Sequence, residues 1–365
     1  MTIAIIGASI GQMSLCVSAK EMGLRTICFS WPEGAICKDH VDVFYPISIM
    51  EKDLITHICE EEAIDGVVTN ASDLTIEISS YIAEKLHLKG NKPEVSHQIK
   101  HKDWVRERTN SIEGLSPVTI CEYNGNTIPS FPCIVKPAIG SSKKGVSFAQ
   151  DINDFCEAIS YAAVGFDGPI LIEQFIPGKE FSVETLSYNG KHFIIQLTDK
   201  IHTGPPHFVE IEHHQPSSLS LSQKGKIEMV VPKILDCLGF ENGAAHIEMK
   251  IDDQDNLYLI EVNPRGGGDH ISDTLTRLST GYDYIKGIIE IAINRFSEPV
   301  IHHQMYSGIY FLCQQTSYLL PYFKETICPS WLFEKEISDN NLLCATGNNN
   351  RNGFLIYYDN RKILL

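Results

Sequence analysis

Short apolar runs alternate with helical segments over the first hundred residues. Residues 3–6, 24–29 and 65–69 are apolar enough for buried strands, and residues 10–22 carry apolar side chains at helical spacing. Strands and helices that alternate in this way build an open parallel sheet with helices on its faces. We therefore predict an N-terminal α/β domain over residues 1–100.

The middle of the chain shows longer runs of alternating polar and apolar residues, the pattern of antiparallel strands with one covered face. The predicted strands cover residues 133–137, 146–148, 168–176, 178–186, 244–251 and 257–263. Helices are predicted over residues 103–108 and 232–238. We interpret this part as two lobes, residues 101–180 and residues 181–300.

Two segments differ from this pattern. Residues 200–222 are rich in His, Pro and Ser and show little periodicity, which predicts a mobile loop. Residues 301–365 contain short strands on either side of an Asn-rich turn at residues 347–353, which predicts a small β-rich appendage. The predicted fold class is therefore α/β (α+β).

A predicted hairpin over residues 244–263 carries the most informative chemistry. With its turn at residues 252–256, Glu248 lies opposite Glu261, and Asn263 shares the face of Glu261. Two neighbouring carboxylates repel each other unless a cation lies between them, and Mg²⁺ accepts carboxylate and other oxygen ligands. We therefore predict Glu248, Glu261 and Asn263 as Mg²⁺ ligands. A solvated surface hairpin is the alternative interpretation.

The register behind this prediction also assigns the other face of the hairpin. It pairs Lys250 with Leu259 and His246 with the asparagine of the acidic face. Because side chains alternate along a strand, Ile260 and Val262 are then expected in the core, on the side away from the acids.

Composition narrows the classes of function. Apolar residues make up 43% of the chain and charged residues 21%, as in globular proteins. The net charge of −16 argues against nucleic acid or an anionic membrane as a partner, so an anionic substrate needs a local pocket of Lys and Arg. No apolar run is long enough to span a bilayer, and residues 1–7 predict a strand rather than a signal peptide. Eleven scattered cysteines without a Cys-x-x-Cys pair predict reduced thiols in the cytoplasm rather than a zinc centre.

The turn over residues 7–11 lacks the Gly-x-Gly-x-x-Gly spacing of dinucleotide-binding oxidoreductases, so a tight strand-to-helix turn with a modest binding role is predicted. Residues 70–73 follow another predicted strand at the carboxyl edge of the sheet, where sheets of this type bind ligands. A ligand-binding loop and a helix N-cap are the two interpretations of that segment.

The order of these motifs over residues 1–300 resembles the ATP-grasp superfamily, in particular its carboxylate–amine ligases of the amino-acid ligase type. The resemblance implies a two-lobed ATP-grasp domain between the N-terminal α/β domain and the C-terminal appendage. The segments that carry it are a nucleotide-lysine strand (134–137), a glycine-rich phosphate loop (140–146), an adenine hinge and ribose acid (173–180), and a metal and phosphate segment (246–248 with 261–268). His101 stands before Lys102, where the family usually carries an aspartate.

The resemblance implies ATP as the nucleotide, with Mg²⁺ or alternatively Mn²⁺. Lys102 and Lys136 would contact the phosphates or the adenine region, and residues 140–145 would close over the phosphates. The implied nucleotide contacts are Lys102, Lys136, Ser141, Ser142, Lys143, Gly145, Val146, Glu173, Gln174, Phe175, Ile176 and Glu180.

The resemblance also implies groups for the reaction itself. Arg265 and Lys136 would stabilise charge during phosphoryl transfer, and Glu210 would bind or deprotonate the amine. A zinc site and a solvated loop are the alternatives for the His-rich residues 202–214. The implied substrate contacts are Glu184, His207, Gly266, Gly267, Gly268 and Asp269.

An enzyme of this type joins a carboxylate to an amine. The carboxylate takes the γ-phosphate of ATP and becomes an acyl phosphate, and the amine then displaces phosphate from the acyl carbon. The expected partners are small-molecule carboxylate and amine substrates, with an amino acid among them, and homodimers are common in the family. An ATP-dependent phosphotransferase and a non-catalytic nucleotide-binding protein on the same fold are the alternatives.

Overall fold

The computed structural model describes residues 1–70, 72–140, 144–166, 168–324, 326–339 and 341–365. The described strands form three sheets, one parallel and two antiparallel. Ser141, Ser142 and Lys143 of the predicted phosphate loop lie outside the described residues.

The N-terminal sheet is parallel and has the strand order β3-β2-β1-β4. Its strands are Thr2–Ile6 (β1), Arg25–Phe29 (β2), Val43–Tyr45 (β3) and Gly66–Val68 (β4). The α-helices around it are Ile10–Glu21 (α1), Lys52–Glu61 (α2) and Asp73–Lys85 (α3). Ile3 and Ile5 pack on α1, whereas Ala4 and Ile6 pack on α2 and α3, so helices cover both faces. The predicted parallel α/β domain is confirmed.

A small antiparallel sheet with the strand order β5-β8-β6-β7 follows two short helices. The helices are Pro93–Gln98 (α4) and Lys102–Thr109 (α5). The strands are Ile120–Glu122 (β5), Cys133–Pro137 (β6), Ser147–Ala149 (β7) and Ile170–Gln174 (β8), and Ile152–Ala162 forms α6. Phe155 and Ala158 of α6 pack against Cys133 and Val135 of β6, which covers one face of this sheet.

The large sheet is antiparallel, with the order β13-β12-β9-β10-β11-β14-β16-β15. Its strands are Lys179–Tyr188 (β9), Lys191–His202 (β10), Glu210–Gln215 (β11), Gly243–Ile251 (β12), Leu257–Asn263 (β13), Tyr306–Leu312 (β14), Leu332–Ile337 (β15) and Gly353–Asp359 (β16). The remaining α-helices are Leu221–Leu238 (α7), Thr276–Thr280 (α8) and Tyr284–Ala292 (α9). The C-terminal strands therefore extend the same sheet through the pairing of β11 with β14.

Two apolar layers cover the large sheet. Val183 and Ile247 pack against α7, whereas Leu186 packs on the other side with α9 and the N-terminal domain. The sheet thus lies between a helix and the parallel α/β domain. Among the described helices, none combines the length and the apolar character needed to cross a bilayer.

The prediction of a loop over residues 200–222 is wrong for its central part. Strand β10 continues to His202, and β11 is an interior strand of the large sheet. Its pattern is hidden because polar side chains are buried there: His214 contacts the Tyr357 hydroxyl at 2.9 Å, and Gln215 donates to Thr198 at 2.9 Å. Buried polar residues of this kind interrupt the alternation of apolar and polar residues from which a strand is predicted.

The hairpin of β12 and β13 confirms the pairing of Glu248 with Glu261 but not that of Lys250 with Leu259. Lys250 lies opposite Tyr258, because β13 contains one extra residue, Ile260, between the two registers. The prediction that Ile260 joins the core is therefore wrong. The residue lines a cavity beside the acids instead.

Gly178, just before β9, has a strict steric requirement. Its φ of +113° is unfavourable for other residues, and a Cβ atom there would lie 2.2 Å from the Ile251 carbonyl oxygen. We expect Gly178→Ala to lower the free energy of unfolding by roughly 2 kcal/mol or more in urea titrations. Gly225→Ala in α7, where a Cβ meets open space, is the matched control and should raise that free energy by about 0.5–1 kcal/mol. Equal unfolding midpoints for Gly178→Ala and the parent would contradict this assignment.

Candidate active site

A cavity lies between the small sheet and the large sheet, and we call it the inter-sheet cavity. It encloses about 770 Å³ including its opening to solvent, a size suited to a small-molecule ligand. Its lining comprises Lys102, Ile134, Lys136, Val146, Glu173, Gln174, Phe175, Ile176, Glu180, His207, Phe208, Glu248, Lys250, Ile260 and Glu261. Most of the nucleotide contacts predicted among the described residues thus meet in one place. Gly145 directly precedes Val146 of this lining. Its φ is +73°, and a Cβ atom at this position would lie close to Pro137.

A buried ion cluster forms one wall of the inter-sheet cavity. Glu173 accepts hydrogen bonds from Lys136 and, at 2.8 Å, from Nε of Arg106. Burial alone would raise the pKa of Glu173, but the positive charges of Arg106 and Lys136 outweigh it and lower this pKa to about 2. Burial also lowers the pKa of Lys136. Two cations against one carboxylate leave this wall with net positive charge, as a phosphate group requires.

Arg106 was not predicted from the sequence. It lies one helical turn after Lys102 in α5, and its guanidinium also donates to the Ile260 carbonyl oxygen at 2.9 Å. The four-residue spacing on a helix face is the only local signal that could have revealed it.

The Glu173 cluster predicts a dependence of stability on pH. Because the folded pKa of about 2 lies below the ordinary 4.5, the stabilisation is complete above pH 4.5 and is lost as the pH falls toward 2. We expect Glu173→Gln to be destabilised by about 3 kcal/mol at neutral pH, and this deficit should shrink over that interval. Urea unfolding of the parent and of Glu173→Gln at several pH values measures this difference in the free energy of unfolding. Glu334→Gln on exposed β15 is the control, and a deficit for Glu173→Gln that does not change with pH would refute the assignment.

The predicted metal ligands Glu248 and Glu261 lie on the opposite wall of the inter-sheet cavity. Lys102 contacts Glu261 at 3.0 Å, and Lys200 contacts Glu248 at 2.6 Å. Burial opposes ionisation of Glu248, but Lys200 and His246 hold its pKa well below the usual range. A facing pair of carboxylates followed by Asn263 on the same strand is an all-oxygen donor set, which fits Mg²⁺.

Phe208 and Lys250 line the inter-sheet cavity and were not predicted as site residues, and Phe148 packs beside them. Phe148 and Phe208 pack around Phe175, with ring centroids 4.8–6.1 Å apart. The Lys250 ammonium lies 5.5 Å from the centre of the Phe175 ring and donates to the Ile176 carbonyl oxygen at 3.2 Å. We call these three rings the aromatic corner, and their flat faces suit a planar base. His207, which was predicted as a substrate contact, lies in the lining of the inter-sheet cavity and not in that of the cavity at the glycine-rich segment.

A second cavity lies where the glycine-rich segment meets the N-terminal domain and the C-terminal strands. Its lining comprises Ile10, Gly11, Asn70, Gly267, Gly268, Asp269, His270, Ser272, Asp273, Phe311, Glu336, Ser338, Asn348, Arg351, Gly353 and Phe354. Of the predicted substrate contacts, Gly267, Gly268 and Asp269 are therefore brought together here. Gly11 and Asn70 also lie here, at the carboxyl edge of the parallel sheet, where ligands were expected.

Asp269 is held by two partners that the local sequence does not reveal. Arg351 donates to both of its carboxylate oxygens, at 2.6 and 2.8 Å, and packs its guanidinium 3.8 Å from the centre of the Phe311 ring. His213 of β11 lies 3.7 Å from the same carboxylate. Burial opposes ionisation of Asp269, but His213 and Arg351 hold its pKa well below the usual range.

The predicted amine-binding Glu210 lies near this second cavity. Ligand atoms of Glu210, His213 and Asp269 lie within 4.8 Å of one another. The His213 side chain is 1% exposed, and neither of its ring nitrogens has a hydrogen-bond partner among the described residues. A buried imidazole without a partner between two carboxylates can accept a proton or hold a small cation.

The backbone of the glycine-rich segment has partners within the protein. Gly266 N–H donates to Asn70 at 3.2 Å and Gly267 N–H donates to Glu184 at 3.1 Å. That these glycines also contact the substrate stays a prediction. A Cβ atom on Gly267 would lie 2.7 Å from His246, so close packing requires glycine here. Glu184 is fully buried beneath the segment and is not in the lining of either cavity.

Arg265 is not brought into either of these cavities. It lines a smaller cavity beside the end of β4 and donates to the Gly266 carbonyl oxygen at 3.1 Å. The predicted role of Arg265 in phosphoryl transfer stays a prediction.

Comparison with known proteins shows what this chain is similar to. A model of the ATP-grasp domain matches residues 129–273. Alanine–anticapsin ligase from Bacillus subtilis (strain 168) is 27% identical over 243 residues, 59% of this chain and 51% of the relative. The large chain of carbamoyl phosphate synthase from Clostridium botulinum (strain Langeland) is 26% identical over 271 residues, 68% of this chain and 24% of the relative. The chain spans about half the length of the alanine–anticapsin ligases that it matches.

Solved structures share the fold over nearly the whole chain. The L-amino acid ligase from Bacillus licheniformis superposes with a TM-score of 0.81 at 22% identity, over 99% of this chain and 93% of that one. The N5-carboxyaminoimidazole synthetase from Staphylococcus aureus, solved in complex with ADP, gives a TM-score of 0.77 at 17% identity, with coverages of 99% and 93%. Residues 129–273 therefore match the ATP-grasp domain, and the chain as a whole shares the fold of these two solved proteins.

Proposed function

We propose that this protein is an ATP-dependent ligase that joins a carboxylate to an amine through an acyl phosphate and releases ADP and phosphate. We propose an amino acid as one of the substrates. The observation that carries the proposal is the pair of cavities on either side of one buried row of side chains. Glu248 lines the inter-sheet cavity, Gly267 lines the second cavity, and His246 and Glu184 connect the two.

The inter-sheet cavity would hold the nucleotide. The aromatic corner at Phe175 would hold the base, Glu180 would accept the ribose hydroxyls, and Lys136 and Lys102 would contact the phosphates, since all of these residues line the cavity. Glu248, Glu261 and Asn263 would hold Mg²⁺, and Mn²⁺ is expected to substitute for it because both accept oxygen ligands. When bound, the metal would neutralise the phosphate oxygens during transfer.

The second cavity would hold the reacting carboxylate and the amine. Glu210, His213 and Asp269 form a group of acceptors that can bind an ammonium group and take its proton. A deprotonated amine is the nucleophile that attacks the acyl carbon. Because these groups are mostly buried, the acyl phosphate would be shielded from water.

The proposal is tested by measuring ADP release with Mg–ATP in a matrix of amino acids, offered singly and in pairs. The expected result is release that depends on two substrates, one supplying a carboxylate and the other an amine, with an amide as the product in mass spectra. Release with a single substrate that becomes phosphorylated would favour a phosphotransferase. Tight nucleotide binding without ADP release for any pair would favour a non-catalytic nucleotide-binding protein.

A further inference from the structure

A continuous row of polar side chains crosses four strands of the large sheet. Both of its ends lie at the second cavity, and it passes the inter-sheet cavity at Glu248. It begins at the N–H of Gly267, which donates to Glu184 at 3.1 Å, and it ends at Asn348, which donates to Glu210 at 3.2 Å. The contacts between these ends run from Glu184 to His246, from His246 to Glu248, from Glu248 to Lys200, and from Lys200 to Glu210. Each side chain belongs to one of four neighbouring strands, β9, β12, β10 or β11, or to a loop beside a cavity.

Lys200 links Glu248 to Glu210 in this row. Its ammonium lies 2.6 Å from Glu248 and 2.9 Å from Glu210, and its side chain is 3% exposed. Lys200 is not in the lining of either cavity, so it is not placed to touch a ligand. One buried cation therefore holds two carboxylates that serve different cavities.

We propose that Lys200 is a positioning residue that couples the nucleotide side of the active site to the amine side. The inference rests on the proposed function, in which Glu248 holds the metal and Glu210 meets the amine. An ammonium shared by two carboxylates is held less strongly by each of them than by one alone. Any change at Glu210 therefore alters how strongly Lys200 competes with a metal ion for Glu248.

Coupling of this kind is reciprocal, because two ligands that bias the same element change each other's affinity by the same factor. A metal–nucleotide bound at Glu248 displaces Lys200 toward Glu210, and a cation bound at Glu210 displaces Lys200 toward Glu248. Filling one cavity with a cation thus disfavours a second cation in the other. An amine that has lost its proton escapes this penalty, and such an amine is the reactive nucleophile.

The experiment is a double-mutant cycle read by calorimetry with Mg²⁺ and a non-hydrolysable ATP analogue. Glu210→Gln removes one of the two carboxylates that Lys200 contacts, so Lys200 then competes more strongly with the metal ion for Glu248. We therefore expect the affinity for the analogue to fall about tenfold when Lys200 is present. In the Lys200→Met background the same change should have less than about a threefold effect, which measures the direct influence of the lost charge. Equal effects in both backgrounds would overturn the proposal.

A control variant at Lys335 and a second substitution at Lys200 accompany this cycle. Lys335→Met is the matched control, because the Lys335 ammonium donates to three backbone carbonyls at 2.8–3.0 Å far from Lys200 and should leave analogue binding unchanged. If Lys200→Met alone does not fold, the Glu210→Gln step is read in Lys200→Gln instead, which keeps a polar group between the carboxylates. A parent protein that binds no Mg–analogue would refute the proposed function, whereas additive effects in a parent that binds it would refute only the role of Lys200.

Discussion

Glu261→Gln is expected to lower ADP formation by at least about a hundredfold to a thousandfold, because a metal ligand supplies several kcal/mol of charge stabilisation during phosphoryl transfer. Glu261 faces Glu248 across the hairpin and forms an ion pair with Lys102 at 3.0 Å. The side chain lines the inter-sheet cavity, so the fold should not depend on its charge. A coupled ADP assay over a range of Mg²⁺ concentrations measures the effect.

Circular dichroism and the unfolding midpoint should show that the Glu261→Gln protein stays folded. Glu228→Gln, an exposed acid on α7, is the control and should keep full activity. Undiminished ADP formation by the Glu261→Gln protein would remove this carboxylate from the metal site.

Lys136→Met should weaken binding of an ATP analogue by about tenfold to a hundredfold, the range for losing a charge-assisted hydrogen bond. Lys136 and Arg106 share the Glu173 carboxylate, so this wall carries one excess positive charge that a phosphate can use. Removing Lys136 cancels that excess, and the bond from Arg106 to Glu173 remains to hold the wall in place. Calorimetry with a non-hydrolysable analogue gives the affinity.

Lys179→Met, which alters an exposed lysine at the start of β9, should bind the analogue as the parent does. Equal affinities for Lys136→Met and the parent would show that the Glu173 cluster is purely structural. A loss of folding in Lys136→Met would be visible as a lower unfolding midpoint and would separate a structural effect from a binding effect.

Much of the fold could be predicted because short-range patterns determine it. Alternate residues of β1 pack on helices of opposite faces, and this arrangement leaves an apolar run that the sequence shows directly. The interior strand β11 could not be predicted in this way, because His214 and Gln215 are buried through hydrogen bonds to distant residues. Polar burial depends on partners, and partners are a property of the tertiary structure.

The same distinction applies to the candidate site. Glu248 and Glu261 are close in sequence, and one hairpin register brings them together, so their pairing was predictable. Lys200 and Arg351 lie on other strands or loops and reach the site only when the large sheet assembles. The lining of the inter-sheet cavity was therefore largely predicted as one group of residues, whereas the lining of the second cavity was predicted only in its glycine-rich segment and Asp269.

The extra residue in β13 decides which carboxylates can meet. If Ile260 paired with Glu248 instead of forming this bulge, the register of Lys250 with Tyr258 would continue, and Glu261 would lie opposite Ile247 and turn toward the α7 layer beside Val183. If Ile260 were absent, Glu261 would directly follow Leu259 and would still lie opposite Glu248. When other chains are aligned to this one, a single-residue gap at Ile260 would therefore indicate a protein that has lost the bulge and keeps its facing acids.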